Sequence, residues 1–178
     1  YQRISRENPF HFYPHSFRLA KLNRIITRLE PSCSSLEKAP SYDFSSSTRV
    51  DGMFLGCTTL KSVGAFKNLG DVDYIGALFQ YANLEEFPSG LLQSGSTKSL
   101  NGNGMFWSNN IEYLPDINIS GMVFNYVNYS PFRSTKLKGF GNIEFGDSTC
   151  ISLFRGCNSI IRLPSWDVSN VQSLSTAF

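Results

Sequence analysis

Three glutamates and a tyrosine are the side chains whose types and spacing most readily suggest chemistry. Glu85 and Glu86 are adjacent, and Glu112 and Tyr113 follow further along the chain in a matching context. Neighbouring carboxylates could work as a general acid and base, but we place them on a flat surface without a pocket. We therefore interpret them as candidate partner-binding residues and expect no enzyme activity.

Histidines and cysteines give no clear metal or cofactor site. His11 and His15 form an H-x-x-x-H pattern, but Pro14 lies between them and no third ligand is evident. The chain has no C-x-x-C pair, which argues against structural zinc. We predict no metal and no cofactor.

Three of the four cysteines are instead related to an internal repeat. Cys33, Cys57 and Cys157 occupy the same slot of different repeats, whereas Cys150 falls elsewhere. Buried free thiols that pack as small apolar groups are the favoured interpretation. A disulfide between Cys33 and Cys57 is also geometrically possible, since equivalent slots of adjacent repeats would lie close together.

The repeat itself is marked by evenly spaced phenylalanines, which we call the Phe ladder. Its members are Phe54, Phe79, Phe106, Phe132, Phe154 and Phe178. Their near-even spacing falls within the period of roughly 20–50 residues that is typical of stacked repeats. Such units stack because one short unit cannot bury its apolar side alone.

Each repeat also contains an apolar-x-x-apolar segment, in which we predict a short strand pairing in parallel with its neighbours. The two intervening residues should point outward. The first outward residues are Glu37, Lys61, Glu85, Glu112, Lys138 and Ile161, and the second are Lys38, Ser62, Glu86, Tyr113, Gly139 and Arg162. A solvated face with opposite charges paired at Glu37–Lys61, Lys61–Glu85 and Glu112–Lys138 is favoured. The alternative is a ligand surface centred on the three glutamates and Tyr113, with Arg162 as a further candidate.

The repeats resemble the BspA-like leucine-rich repeats, with Phe-x-x-Cys, a following Leu-x-x-Leu, a proline and a turn. The best copy is FRGCNSIIRLPSWDVSNVQSLSTAF at the end of the chain, and the resemblance covers roughly residues 29–178. This family occurs on bacterial and protist surfaces and in some viral genomes. The resemblance implies binding or adhesion without enzyme activity.

The predicted fold is an α/β repeat solenoid of leucine-rich-repeat type. Short parallel strands would form one face, and turns or short helices the other. We divide the chain into an extended arm at 1–15, a basic amphipathic capping helix at 16–29, and about five to six repeats over 30–178.

The predicted helix has two faces with different roles. Its apolar stripe would cap the first repeat, while its basic face carries Arg18, Lys21, Arg24 and Arg28. That face could bind an acidic protein surface. Nucleic acid and an anionic membrane are the alternatives, but a capping role leaves no apolar stripe for membrane insertion. A membrane-spanning helix needs a run of about 18 apolar residues. The sequence has no such run, so we predict no membrane span.

The end of the sequence is a ladder position, Phe178, preceded by Trp166. We expect a protein contact at residues 165–178 that covers this edge. Binding along the sheet would use dispersed polar contacts, with Tyr113 and Trp166 as anchors. The predicted function is a protein–protein interaction or structural module, such as a subunit or decoration of a virion. The alternative is a microbial cell-surface adhesin for host or cell-wall ligands. The predicted location is accordingly an extracellular particle or a microbial cell surface.

Overall fold

The computed structural model describes residues 33–93, 102–124, 130–133 and 135–178. The predicted arm at 1–15 and capping helix at 16–29 lie outside these residues, as do the basic side chains Arg18, Lys21, Arg24 and Arg28.

Regular structure in the described residues consists of two-residue strands and one 3₁₀ turn, Leu69–Asp71. The strands are β1 Lys38–Ala39, β2 Tyr42–Asp43, β3 Ser62–Val63, β4 Phe66–Lys67, β5 Tyr113–Leu114, β6 Ile117–Asn118, β7 Val123–Phe124, β8 Gly139–Phe140, β9 Ile143–Glu144 and β10 Thr149–Cys150. They form five two-stranded parallel sheets, which pair β1 with β3, β2 with β4, β5 with β8, β6 with β9 and β7 with β10.

Each pair joins equivalent positions of neighbouring repeats. Lys38 pairs with Ser62, and Tyr113 pairs with Gly139. Because the offset equals one sequence period, side chains of the same slot lie beside each other. Apolar side chains at equivalent positions therefore pack against one another in the core, and polar side chains lie on the outside.

The Phe ladder forms a continuous column of rings. Successive centroids lie 5.2, 5.5, 5.5, 5.7 and 5.6 Å apart, from Phe54 through Phe79, Phe106, Phe132 and Phe154 to Phe178. The largest angle between successive ring planes is 25°, so the column has the stacked arrangement that aromatic rings favour. The column thus joins each repeat to the next.

Backbone hydrogen bonds hold the ladder segments in register. The Phe54 amide donates to the Leu78 carbonyl at 2.9 Å, and the Phe79 amide donates to the Met105 carbonyl at 2.8 Å. The amide of Phe154 likewise donates to the Ala177 carbonyl at 2.7 Å. A ladder segment therefore pairs with the next one even though it is not a regular strand.

The backbone turns to the left-handed region on both sides of the ladder phenylalanines. Two positions before the ring, φ is positive at Gly52, Ala77, Gly104, Ser152 and Thr176. Two positions after it, φ is positive at Gly56, Tyr81, Ser108 and Gly156. A right-handed helix cannot pass through such positions, so each of these ladder segments is a pair of tight turns around one ring.

These turns explain why the predicted α/β solenoid is wrong. The described part of the chain contains no α-helix, and its helical structure is limited to the 3₁₀ turn. The strands also form separate two-stranded sheets at several places in the repeat, instead of one sheet along a single face. The described residues therefore form short parallel strand pairs and turns without an α-helix.

One buried amide supports the turn that follows the ladder in the central repeats. Asn109 is almost fully buried; its side chain accepts a hydrogen bond from the Leu84 amide at 3.1 Å and donates to the Phe79 carbonyl at 2.7 Å. It thereby gives the buried Leu84 amide a partner and supplies a second donor to the Phe79 carbonyl, which also accepts from the Ala82 amide at 3.0 Å.

Candidate interaction surface

The predicted outward residues flank apolar residues that anchor each segment in the core. Leu60, Leu84, Ile111 and Leu137 are fully buried at the start of their segments. The charged residues that follow them are held in line by main-chain bonds, as when the Lys138 amide donates to the Glu112 carbonyl at 2.8 Å. We call the outer side of these segments the strand-corner surface. It includes Lys61, Glu85, Glu86, Glu112, Tyr113 and Lys138.

Charges on this surface pair between neighbouring repeats. Lys61 Nζ lies 3.5 Å from a Glu85 carboxylate oxygen, and Lys138 Nζ lies 2.8 Å from one of Glu112. The Glu112 carboxylate accepts a hydrogen bond from Lys138 and raises the pKa of that ammonium group. These exposed pairs contribute little stability. Each pair brings opposite charges of two neighbouring repeats together on the strand-corner surface.

Tyr113 is the most exposed aromatic side chain of the strand-corner surface. It is 64% exposed, and its ring lies against Gly139 of the next repeat. A Cβ at Gly139 would come within 2.7 Å of the ring, so only glycine leaves room for this placement. Tyr113 stands beside the Lys138–Glu112 pair, so one spot combines an exposed ring with two opposite charges.

The remaining predicted partner-binding residues lie in the last repeat. Arg162 is exposed, whereas Trp166 is half-buried, with its ring centroid 5.3 Å from that of Phe140 and 5.4 Å from that of Phe145. Trp166 thus packs onto the core, and its role as an anchor stays a prediction. Phe178 is 62% exposed. The predicted protein contact at 165–178 stays a prediction.

Other apolar side chains of the last repeat are exposed as well. They are Ile161, Leu163, Val168 and Leu174. Nothing in the described residues covers them, so they show where further apolar surface lies without indicating what would bind there.

A second row of side chains, with Tyr81 exposed and Trp107 and Arg133 half-buried, was not foreseen from the sequence. Tyr81 is 45% exposed and its ring lies 5.1 Å from that of Trp107, while the Arg133 guanidinium carbon lies 4.6 Å from the Trp107 ring centroid. We call these three residues the Tyr81 row. The sequence pattern that could have predicted this row is an aromatic or cationic residue one or two positions after the ladder phenylalanine in three successive repeats.

Cysteine side chains lie inside the described part of the fold as free thiols. Cys57, Cys150 and Cys157 are buried, and Cys33 is half-buried. The Cys157 thiol donates to the Phe132 carbonyl at 2.8 Å. Burial raises the pKa of Cys57 and of Cys150 to about 11. Such thiols are poor nucleophiles at neutral pH.

The chemistry suggested by the histidines and carboxylates finds no assembled site in the described ranges. His11 and His15 lie outside those ranges. Within them, no three His, Cys, Asp or Glu side chains are grouped so that they could hold a metal ion. No helix in the same ranges is long and apolar enough to cross a membrane. The candidate binding surfaces in these ranges are the strand-corner surface and the Tyr81 row.

Known proteins give no further guide to these surfaces, and the BspA-like resemblance stays a prediction. Comparison with protein-family models, with curated proteins and with solved structures finds no significant match to this chain.

Proposed function

We propose that this chain is a non-enzymatic protein-binding module that serves as a structural or decorating subunit of a larger assembly, such as a virion. The observation that carries the proposal is Tyr113, an exposed ring held over Gly139 beside the Lys138–Glu112 pair. Residues that dominate the energy of protein interfaces are often tyrosines. A ring whose position is already set loses little conformational entropy on binding.

The charges around Tyr113 indicate what a partner should offer. Glu85 and Glu86 are exposed on the preceding repeat, and Glu112 is half-buried beside Tyr113. Two of the three glutamates belong to lysine pairs, so the net charge of the patch is small. A partner would therefore need an apolar recess for the ring and a basic group near Glu86, with no strongly charged surface.

A photo-crosslinking experiment tests this proposal in the cells or particles that produce the protein. A photoreactive phenylalanine derivative replaces Tyr113 in one variant and Tyr74, a 43% exposed tyrosine outside this surface, in the control. We expect the first variant to give a discrete cross-linked product with one protein and the control to lack it. Absence of any protein product from position 113, or the same products from both positions, would reject the proposal.

An adhesin for host or cell-wall ligands is the second candidate, and the Tyr81 row favours it. An aromatic face beside a guanidinium group suits a ligand that combines C–H surfaces with negative charge, such as an acidic glycan. The test is binding of the protein and of Tyr81→Ala to a panel of host and cell-wall glycans. Saturable binding that the substitution weakens would favour adhesion, and absence of binding across the panel would reject it.

A further inference from the structure

Cys33 and Cys57 occupy equivalent places in the first two described repeats. Both begin the same turn, in which the Cys33 carbonyl accepts from the Leu36 amide at 3.3 Å and the Cys57 carbonyl accepts from the Leu60 amide at 2.9 Å. The strands that follow pair in parallel with Lys38 opposite Ser62, the same offset that separates the two cysteines. The two cysteines therefore lie side by side.

A second pair in the same slot shows how close such side chains come. Thr135 and Cys157 hold this place in two later neighbouring repeats, and the hydroxyl oxygen and the sulfur lie 3.3 Å apart. Cys33 and Cys57 stand at the same offset of one repeat as the paired residues Lys38 and Ser62. Neighbouring strands are about 4.8 Å apart, which falls within the Cα separation of about 4.4–6.8 Å that disulfides require.

We propose that Cys33 and Cys57 are an oxidisable pair whose disulfide covalently ties the first two described repeats together. The two side chains are unequal in a way that suits stepwise oxidation, because Cys33 is half-buried and open to a reagent whereas Cys57 is buried beside it. Cys150 and Cys157 lack this arrangement. Cys150 contacts the Ser148 hydroxyl, and Cys157 contacts Thr135 and the Phe132 carbonyl.

The oxidant is a small disulfide such as oxidised glutathione. The Cys33 thiolate attacks one sulfur of the reagent, which forms a mixed disulfide and releases one glutathione thiolate. Cys57 then gives its proton to water, and its sulfur displaces the second glutathione. The Cys33–Cys57 bond is thereby formed, the two protein thiols are oxidised, and the reagent's disulfide is reduced to two thiols.

Peptide mass spectrometry tests the proposal on the folded chain. Trypsin cuts after Arg28, Lys38, Arg49 and Lys61, so the disulfide would link peptides 29–38 and 50–61. We expect oxidised glutathione at mildly alkaline pH to produce this linked pair while Cys150 and Cys157 stay reduced. The disulfide should raise the thermal midpoint by at least about 5 °C, and dithiothreitol should reverse the rise.

Two variants separate the geometry of the slot from general thiol reactivity. Cys57→Ser should stop at the Cys33–glutathione adduct, with no linked peptides. Thr135→Cys should place a second thiol beside Cys157, but because both positions are buried, this pair should oxidise far more slowly than Cys33 and Cys57 under the same conditions. The proposal is overturned if oxidation links 29–38 to 50–61 only in denaturant, or if folded wild-type protein ends as glutathione adducts without the internal bond.

Discussion

The ring of Tyr113 lies on Gly139 of the following repeat, so close that a Cβ on the glycine would approach a ring carbon within 2.7 Å. This contact links the most exposed aromatic side chain of the strand-corner surface to a backbone position one full repeat away in sequence. The register of β5 and β8 brings the two together, since Tyr113 and Gly139 are paired residues of a parallel sheet.

Gly139→Ala should displace the Tyr113 ring and weaken partner binding without unfolding the protein. The backbone of Gly139 lies outside the left-handed region, so alanine adds a clash with a movable ring and little backbone strain. We expect the cross-link yield of a photoreactive group at position 113 to fall several-fold while the thermal midpoint stays within about 3 °C. An unchanged yield would show that the ring's place on Gly139 is irrelevant to binding.

The left-handed positions before the ladder phenylalanines predict a pair of opposite stability changes. Ala77→Gly should raise the free energy of unfolding by about 0.5–1 kcal/mol, because alanine at φ 53° is strained. Gly52→Ala at the equivalent place should lower it by about 1–2 kcal/mol, since its added Cβ meets no atom closer than 3.9 Å and only the backbone conformation suffers. Urea unfolding measures both, and two changes of the same sign would contradict this account of the turns.

Asn109 should be important for stability although it is polar. Asn109→Ala leaves the buried Leu84 amide without its partner, which should cost about 1–3 kcal/mol. The Phe79 carbonyl still accepts from the Ala82 amide at 3.0 Å, so it loses only one of two hydrogen bonds. Its neighbour Asn110 is half-buried and its side chain donates to that of Asn83, so Asn110→Ala serves as the matched control. Denaturant unfolding should show the larger loss for Asn109→Ala; equal losses would mean that the Leu84 amide finds another partner.

Buried thiols predict a loss of stability at alkaline pH. Burial raises the pKa of Cys150 from 9.0 to about 11, and that of Cys57 likewise. Above pH 9 the unfolded chain releases thiol protons that the folded chain retains until about pH 11. The unfolded state is then favoured, so this stability is complete below pH 9 and is lost as pH rises through that window.

Cys150→Ala isolates one of these thiols from other groups that titrate at high pH. We expect the free energy of unfolding of the variant, measured under reducing conditions, to fall less steeply between pH 9 and about 11 than that of the wild type. Its value at neutral pH serves only as a baseline, because a lost side chain also changes packing. Parallel pH profiles for the two proteins would contradict the predicted shift at Cys150.

The sequence alone determined which residues share a slot. Even phenylalanine spacing and the matching apolar residues identified the positions that now lie side by side, and they predicted the Lys61–Glu85 and Lys138–Glu112 contacts. Such contacts follow from the period itself, because parallel pairing at an offset of one repeat places like slots next to each other. Spacing therefore carries information about register, and register decides which outward charges meet.

The backbone path between those slots, in contrast, depends on contacts between repeats. Ala77 and Tyr81 carry positive φ on either side of Phe79, and no residue-type preference predicts this for alanine or tyrosine. The turns arise because each ring must point into the column while its amide bonds to the next repeat, a demand imposed by neighbours distant in sequence. The same demand excludes helices from the ladder segments and places Tyr81 against Trp107. Packing between repeats thus determines the backbone conformation of the turns, which the local preferences of alanine and tyrosine do not predict.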